Sequence, residues 1–169
     1  MIVLETARLR LRHFAVEDAG FILRLLNEPS FIEGVNDKGI RTLDAARSYL
    51  LDGPIASYSM LGFGLNRVDL KESGVPIGMC GLLQRDSLDH PEVGYAFLSE
   101  FCGQGYAVES ASAVVADGER SFGLQRILAV TNPGNGASIR VLEKIGFRFE
   151  KMLKLFEDEP EIKLFAYDF

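Results

Sequence analysis

Cys102-Gly103-Gln104-Gly105-Tyr106-Ala107 joins an extended-patterned run, Glu92 to Leu98, to a helix-patterned run, Val108 to Phe122. Two glycines at such a junction let the backbone turn freely and approach a ligand closely. The first amides of the following helix point outward, at the positive end of its dipole. Together these make a seat for a phosphate or pyrophosphate. A glycine pair alone fits a plain turn equally well. The rest of the chain must therefore decide between the two.

Working outward, Arg8-Leu9-Arg10-Leu11-Arg12 alternates as a strand with one buried face. Asp18 to Asn27 has helical spacing, with Phe21, Ile22, Leu25 and Leu26 on one side, and Pro29 ends it. Thr42 or Asp44 caps a second helix with Ala46, Tyr49 and Leu50 inward. Gly53-Pro54 is expected to break it, with a further short helix running to about Leu61. Phe63 to Leu70 and Val75 to Gln84 form two strands around the Lys71–Gly74 turn, and Glu92 to Leu98 a third. After the long helix come a short strand, Leu124 to Val130, and a helix, Gly136 to Ile145, that Gly146 stops. Phe147 to Phe156 and Glu161 to Phe169 close the chain as a hairpin. This order predicts an α+β (mixed α/β) layered fold over residues 1–169 as a single domain.

Composition narrows the function. The 169 residues carry a net charge of -6 and no Lys/Arg cluster, which argues against nucleic acid as a partner. Cys80 and Cys102 lack metal-ligand spacing and imply a reducing compartment. His13 and His90 are isolated, so no metal is expected. Arg8, Arg10 and Arg12 near the start do not suit a signal peptide, and no apolar run is long enough for a membrane span. A cytoplasmic protein is the expectation.

Three stretches in order resemble the GCN5-related N-acetyltransferases, in the branch of the ribosomal-protein N-terminal acetyltransferases. Thr6 to Arg12 is similar to that branch's opening strand. Glu92 to Leu98 with Gly103 to Glu109 resembles the acetyl-CoA motif, and Asn135 to Phe147 the second signature. The resemblance covers almost the whole chain. It implies a central, twisted, mostly antiparallel sheet with helices on both faces and one splayed parallel strand pair. Acetyl-CoA would lie in that splay as co-substrate. Main-chain groups of Ala96, Phe97 and Leu98 would pair with the pantetheine arm, and one amide would polarise the acetyl oxygen. The amides of Gly103, Gln104, Gly105, Tyr106 and Ala107 would hold the pyrophosphate. Asn135 would bond the pantetheine arm and Ser138 would lie near the thiol. The N-cap and N3 spacing of these two also fits a plain helix cap.

The implied reaction is direct transfer to an amine in a ternary complex, and Glu92 is the candidate base. Tyr95, two residues on, either lines the acceptor side or packs in the sheet. Two positions depart from the family pattern. Cys102 replaces a residue that is often Gln, Arg or aromatic. Leu142 stands where many relatives carry the tyrosine that protonates the leaving thiolate, so the general acid is unassigned and water is one candidate. A silent acyl-CoA-binding module of the same fold is the alternative reading. A doubly wound nucleotide-binding protein fits poorly, because the glycine pair falls after the midpoint. The acceptor is a small-molecule or peptide amine of unspecified kind, and the protein a monomer or homodimer.

Overall fold

Period-two patterning becomes one eight-stranded sheet, in the order β1-β2-β3-β4-β5-β6-β8-β7. The computed structural model describes residues 1–169. Its strands are β1 (Ile2–Glu5), β2 (Leu9–His13), β3 (Leu65–Leu70), β4 (Pro76–Leu83), β5 (Glu92–Phe97), β6 (Arg126–Thr131), β7 (Arg148–Leu153) and β8 (Ile162–Asp168). Every neighbouring pair is antiparallel except β5 with β6. The mixed α/β architecture with one parallel pair is the one expected.

Helices cover both faces. α1 (Ala19–Leu26), α2 (Pro29–Gly34), α3 (Leu43–Leu50) and α4 (Ala56–Leu61) form one layer. Ile22, Leu25, Leu26 and Leu50 pack there against Met79 and Leu98. α5 (Tyr106–Phe122) and α6 (Gly136–Lys144) form the other layer. Ala111, Val114 and Leu142 meet Leu9, Leu11, Ile127 and Phe165 in that core. Each fully buried Leu or Ile contributes about 1.5–3 kcal/mol, so both layers are held firmly around the sheet.

The sheet opens at its centre. β5 pairs with β4 along its whole length, from Glu92↔Leu83 to Phe97↔Gly78. Toward β6 it has a single register pair, Glu92↔Leu128, where the Leu128 N–H donates to the Pro91 carbonyl at 2.9 Å. Beyond it the two strands part.

Several local expectations need correction. Gly53-Pro54 does not break the chain's helix. One wide π-helical turn, Leu51–Ile55, carries Pro54 and leads directly into α4. Such a turn changes the hydrogen-bond register, which accommodates a residue without an N–H. Gly62, at φ 82°, ends the run instead. Pro29 ends α1 but also occupies the first turn of α2, where its fixed φ is favourable. β1 lies outside the expected strands and pairs with β2. Thr42, not Asp44, caps α3: its Oγ1 accepts the Ala45 N–H at 3.1 Å.

Candidate active site

The parting of β5 and β6 leaves a cavity of about 440 Å³. Glu92 to Tyr95 line it from β5 and Ala129 to Thr131 from β6. Asn135, Ser138 and Leu142 close it from α6, and Lys38 and Arg85 reach it from loops. This volume suits a small-ligand site. An antiparallel ladder turns alternate residues to alternate sides. The Leu98 N–H donates to the Ile77 carbonyl at 2.9 Å, so Leu98 and Ala96 turn their main chain toward β4. Pro91 turns its carbonyl toward β6, and by the same alternation Tyr95 and Phe97 face the gap. Of Ala96, Phe97 and Leu98, only Phe97 thus offers main-chain groups there, and Tyr95 joins it.

Gly103 and Gly105 have φ of 78° and 87°, values that L side chains rarely adopt. No side chain caps α5 at Gly105, so its first-turn amides stay available. Gln104 points back, its Nε2 donating to the Glu100 carbonyl at 3.3 Å. Tyr106 and Ala107 open the helix. A contact across the chain braces this turn. Glu109 accepts hydrogen bonds from the Thr6 hydroxyl, from Arg8 N at 2.9 Å and from Arg8 Nε at 2.8 Å. Burial alone would push the Glu109 carboxyl up, but these bonds outweigh it and hold it below the usual range. The Arg8 guanidinium then lies 4.3 Å from the Tyr106 ring centroid and close beside Gly105. The sequence motifs hold both Thr6-x-Arg8 and Glu109; their pairing becomes visible only in the fold.

Glu92 is 2% exposed, not a solvent-facing strand end. Its Oε2 accepts from Arg85 Nε at 2.7 Å. Burial drives its carboxyl above the usual range, more strongly than Arg85 and Lys38 pull it down. Its Oε1 accepts no hydrogen bond from the protein and opens on the cavity. Arg85 and Lys38 carry no sequence signal of their own. They are recognisable only once the 84–88 and 34–41 loops are seen folding over the gap.

Asn135 does serve as the cap of α6, its Oδ1 accepting the Ser138 N–H at 3.1 Å. Its Nδ2 makes no hydrogen bond within the protein and lies at the cavity wall. The Ser138 hydroxyl meets the Tyr95 hydroxyl at 3.0 Å, and Tyr95 also donates to the Ser138 carbonyl at 3.3 Å. Burial pushes the Tyr95 phenol up to about 12, so it stays protonated at neutral pH. Leu142 is 1% exposed and packs into the core beneath the cavity floor.

Other candidates lie elsewhere. His90 is exposed on a separate shallow groove with Arg126 and Asp168. His13 stacks on Tyr58, with 3.7 Å between ring centroids. Cys102 is exposed, its thiol 3.6 Å from the Leu98 carbonyl. No three His, Cys, Asp or Glu side chains gather as a metal site requires, and no helix is long and apolar enough to cross a membrane.

Known proteins match this chain in sequence and fold. The family model described as an acetyltransferase (GNAT) domain matches residues 8–148. The uncharacterized N-acetyltransferase YoaA of Bacillus subtilis is 32% identical over 154 residues, covering 90% of this chain and 86% of that protein. The crystal structure of an acetyltransferase from Agrobacterium tumefaciens superposes with a TM-score of 0.82 at 26% identity, over 97% of this chain and 92% of that one. RimL, a ribosomal L7/L12 α-N-protein acetyltransferase solved with coenzyme A, shares the fold with a TM-score of 0.85 at 16% identity. That alignment covers 99% of this chain and 98% of RimL.

Proposed function

The chain belongs to the acetyltransferase (GNAT) domain family and is therefore an acyltransferase; from that premise we propose that it moves the acetyl group of acetyl-CoA directly to a primary amine. The observation that carries the reading is the single register pair between β5 and β6, with a cavity beyond it. Main-chain groups of Tyr95 and Phe97 that face the gap would take a pantetheine arm as an added strand. Their amides are also the donors positioned to polarise the thioester oxygen. The first-turn amides after Gly105 would hold the pyrophosphate, with the Arg8 charge beside them. The Asn135 Nδ2 would donate to the arm's amide carbonyl.

The chemistry then divides between the two ends of the cavity. A neutral amine attacks the thioester carbon, and the Glu92 Oε1 takes its proton. Burial of this carboxyl favours that role, because a base works best when its pKa approaches the working pH. The C–S bond breaks; the departing sulfur would take the Ser138 hydroxyl proton, Ser138 would take the Tyr95 phenol proton across their contact, and solvent would return a proton to Tyr95. In this reading the hydroxyl pair would play the part that the Leu142 side chain cannot. The products are the amide and coenzyme A.

The test is release of free thiol from acetyl-CoA across an amine panel, with calorimetry of acetyl-CoA in EDTA alongside. Metal-independent binding and amine-dependent thiol release are expected. Binding without release from any amine would favour the silent acyl-CoA-binding module. Absence of binding at high micromolar protein would refute the cofactor assignment.

A further inference from the structure

Within the acyl-transfer reading, we infer that the acceptor is a small zwitterionic amine, with an acid group a few bonds from its amine that Lys38 receives. Four charged side chains line the cavity: Lys38, Arg85, Glu92 and Glu159. Arg85 and Glu92 are paired at 2.7 Å. Lys38 forms neither a hydrogen bond nor an ion pair within 4.0 Å, whereas Arg41 beside it is paired with Asp37 at 2.7 Å. The protein as a whole has a net charge of -6, yet this lining balances to zero, two cations against two carboxylates. A polycationic acceptor would be poorly served there. Its second ammonium would meet Lys38 and Arg85, and the one buried carboxylate is already shared with a guanidinium.

The backbone around Lys38 is also held in place. Its loop is tied at both ends: the Asn132 Nδ2 donates to the Gly34 carbonyl at 2.8 Å and the Asn27 Nδ2 to the Ile40 carbonyl at 2.8 Å. Within it, the Gly39 N–H donates to Asp37 Oδ1 at 2.9 Å. Gly34 lies against the Asn135 side chain, so the loop rests directly on the acyl site. Lys38 stands at the exposed rim, and the surrounding protein still pushes its ammonium below the usual range, by desolvation first and the Arg85 charge second. Glu159 and Glu92 pull the other way more weakly. The attraction of an incoming anion would offset both effects. An amine resting at Glu92 Oε1 with its carboxylate toward Lys38 satisfies both charged groups, and Arg85 stays with Glu92.

The experiment compares the common α-amino acids, their amides and spermidine as acceptors for acetyl-CoA, using wild type, Lys38→Met and Lys38→Arg. Some free amino acid should be favoured over its own amide and over spermidine. Lys38→Met should raise its KM about tenfold or more, the effect of losing one charge-assisted contact. The KM of the amide should hold, any change in kcat should be the same for amino acid and amide because Lys38 also acts on Glu92, and Lys38→Arg should restore most of the KM loss. Calorimetry of the matching N-acetylamino acids with the protein–CoA complex gives a second reading that needs no turnover: wild type should bind one that Lys38→Met does not. Preference for spermidine or for amides, an equal KM rise for amino acid and amide, or no N-acetylamino acid binding would each overturn the inference. These results would leave acyl transfer standing. Failure of acetyl-CoA itself to bind would instead remove the premise.

Discussion

Glu92→Gln should separate catalysis from architecture at this site. The side chain is 2% exposed and has one protein partner, Arg85 Nε at 2.7 Å. Gln has the same shape, and its carbonyl oxygen can accept that same donor. Arg85 is about a third exposed, so its charge stays largely hydrated when the carboxylate goes. The stability cost is therefore small, about 1 kcal/mol or less. The loss of a proton acceptor is much larger, roughly 10²–10⁴ in rate, or about 3–5 kcal/mol of barrier. Acetyl-CoA affinity should barely change, because the carboxylate is proposed to face the acceptor amine.

The assay is kcat/KM against pH, with an acceptor whose own pKa lies below the range scanned. Burial, outweighing Arg85, raises the Glu92 carboxyl, so the wild-type ascending limb should lie above the ordinary glutamate value of 4.5 and vanish in the Gln variant. Stability gives an independent check. A carboxyl with a raised folded pKa binds its proton more tightly in the native state. Its contribution is fully present below the unfolded value of 4.5 and is lost as pH rises through the folded one. Gln does not titrate. The difference in unfolding free energy should therefore drift in favour of Gln as pH rises above 4.5, until it passes the raised folded-state value. An unchanged rate, or an ascending limb that survives in Gln, would remove Glu92 from the mechanism.

Gly105→Val should weaken coenzyme A binding roughly tenfold or more by calorimetry. The φ of 87° also strains the variant by about 1–2 kcal/mol, so its folding should be measured alongside, and wild-type affinity would refute the phosphate seat. Glu109→Gln should raise the coenzyme A Kd severalfold and lower stability by about 1 kcal/mol in urea unfolding, because Arg8 loses a partly exposed ion pair. Ser138→Ala should cut kcat by roughly tenfold or more with little effect on cofactor affinity, measured as single-turnover thiol release. Tyr95→Phe should give a smaller loss without new pH dependence, since its phenol stays protonated through the neutral range.

Much of this architecture was legible because it follows from local rules. Alternation marks the central strands, and the glycines at 103 and 105 do occupy positive φ where a side chain would be strained. Gly53-Pro54 misled because the penalty for an internal proline presumes an unbroken α register, and Leu51–Ile55 changes that register. The bracing of Arg8 by Glu109 was invisible for a different reason. The two residues are 101 positions apart, and nothing local to either one specifies the other. Lys38 and Arg85 share that obscurity. Each is an ordinary loop cation until the fold sets it beside Glu92.

The main-chain groups facing the gap show where sequence reading stops for a geometric reason. Along a strand, the side-chain direction and the lateral direction of the N–H and C=O groups both alternate with period two, and they are locked together. A residue of β5 that faces α5 with its side chain turns its main chain toward β6. Val93, Tyr95 and Phe97 are that set: their side chains pack in the α5–α6 core. Glu92, Ala96 and Leu98 are the other set, and Leu98 bonds back to Ile77. The pattern Glu92 to Leu98 yields the two sets but not their assignment. Assigning them requires knowing which helical layer covers which face and on which side β6 lies, and both are properties of the assembled sheet. This same parity puts the Glu92 side chain on the α1–α4 face, the face from which the Lys38 loop descends. The Tyr95 hydroxyl lies on the other face, against Ser138. The proposed base and acid therefore approach the thioester from opposite sides of the opened sheet.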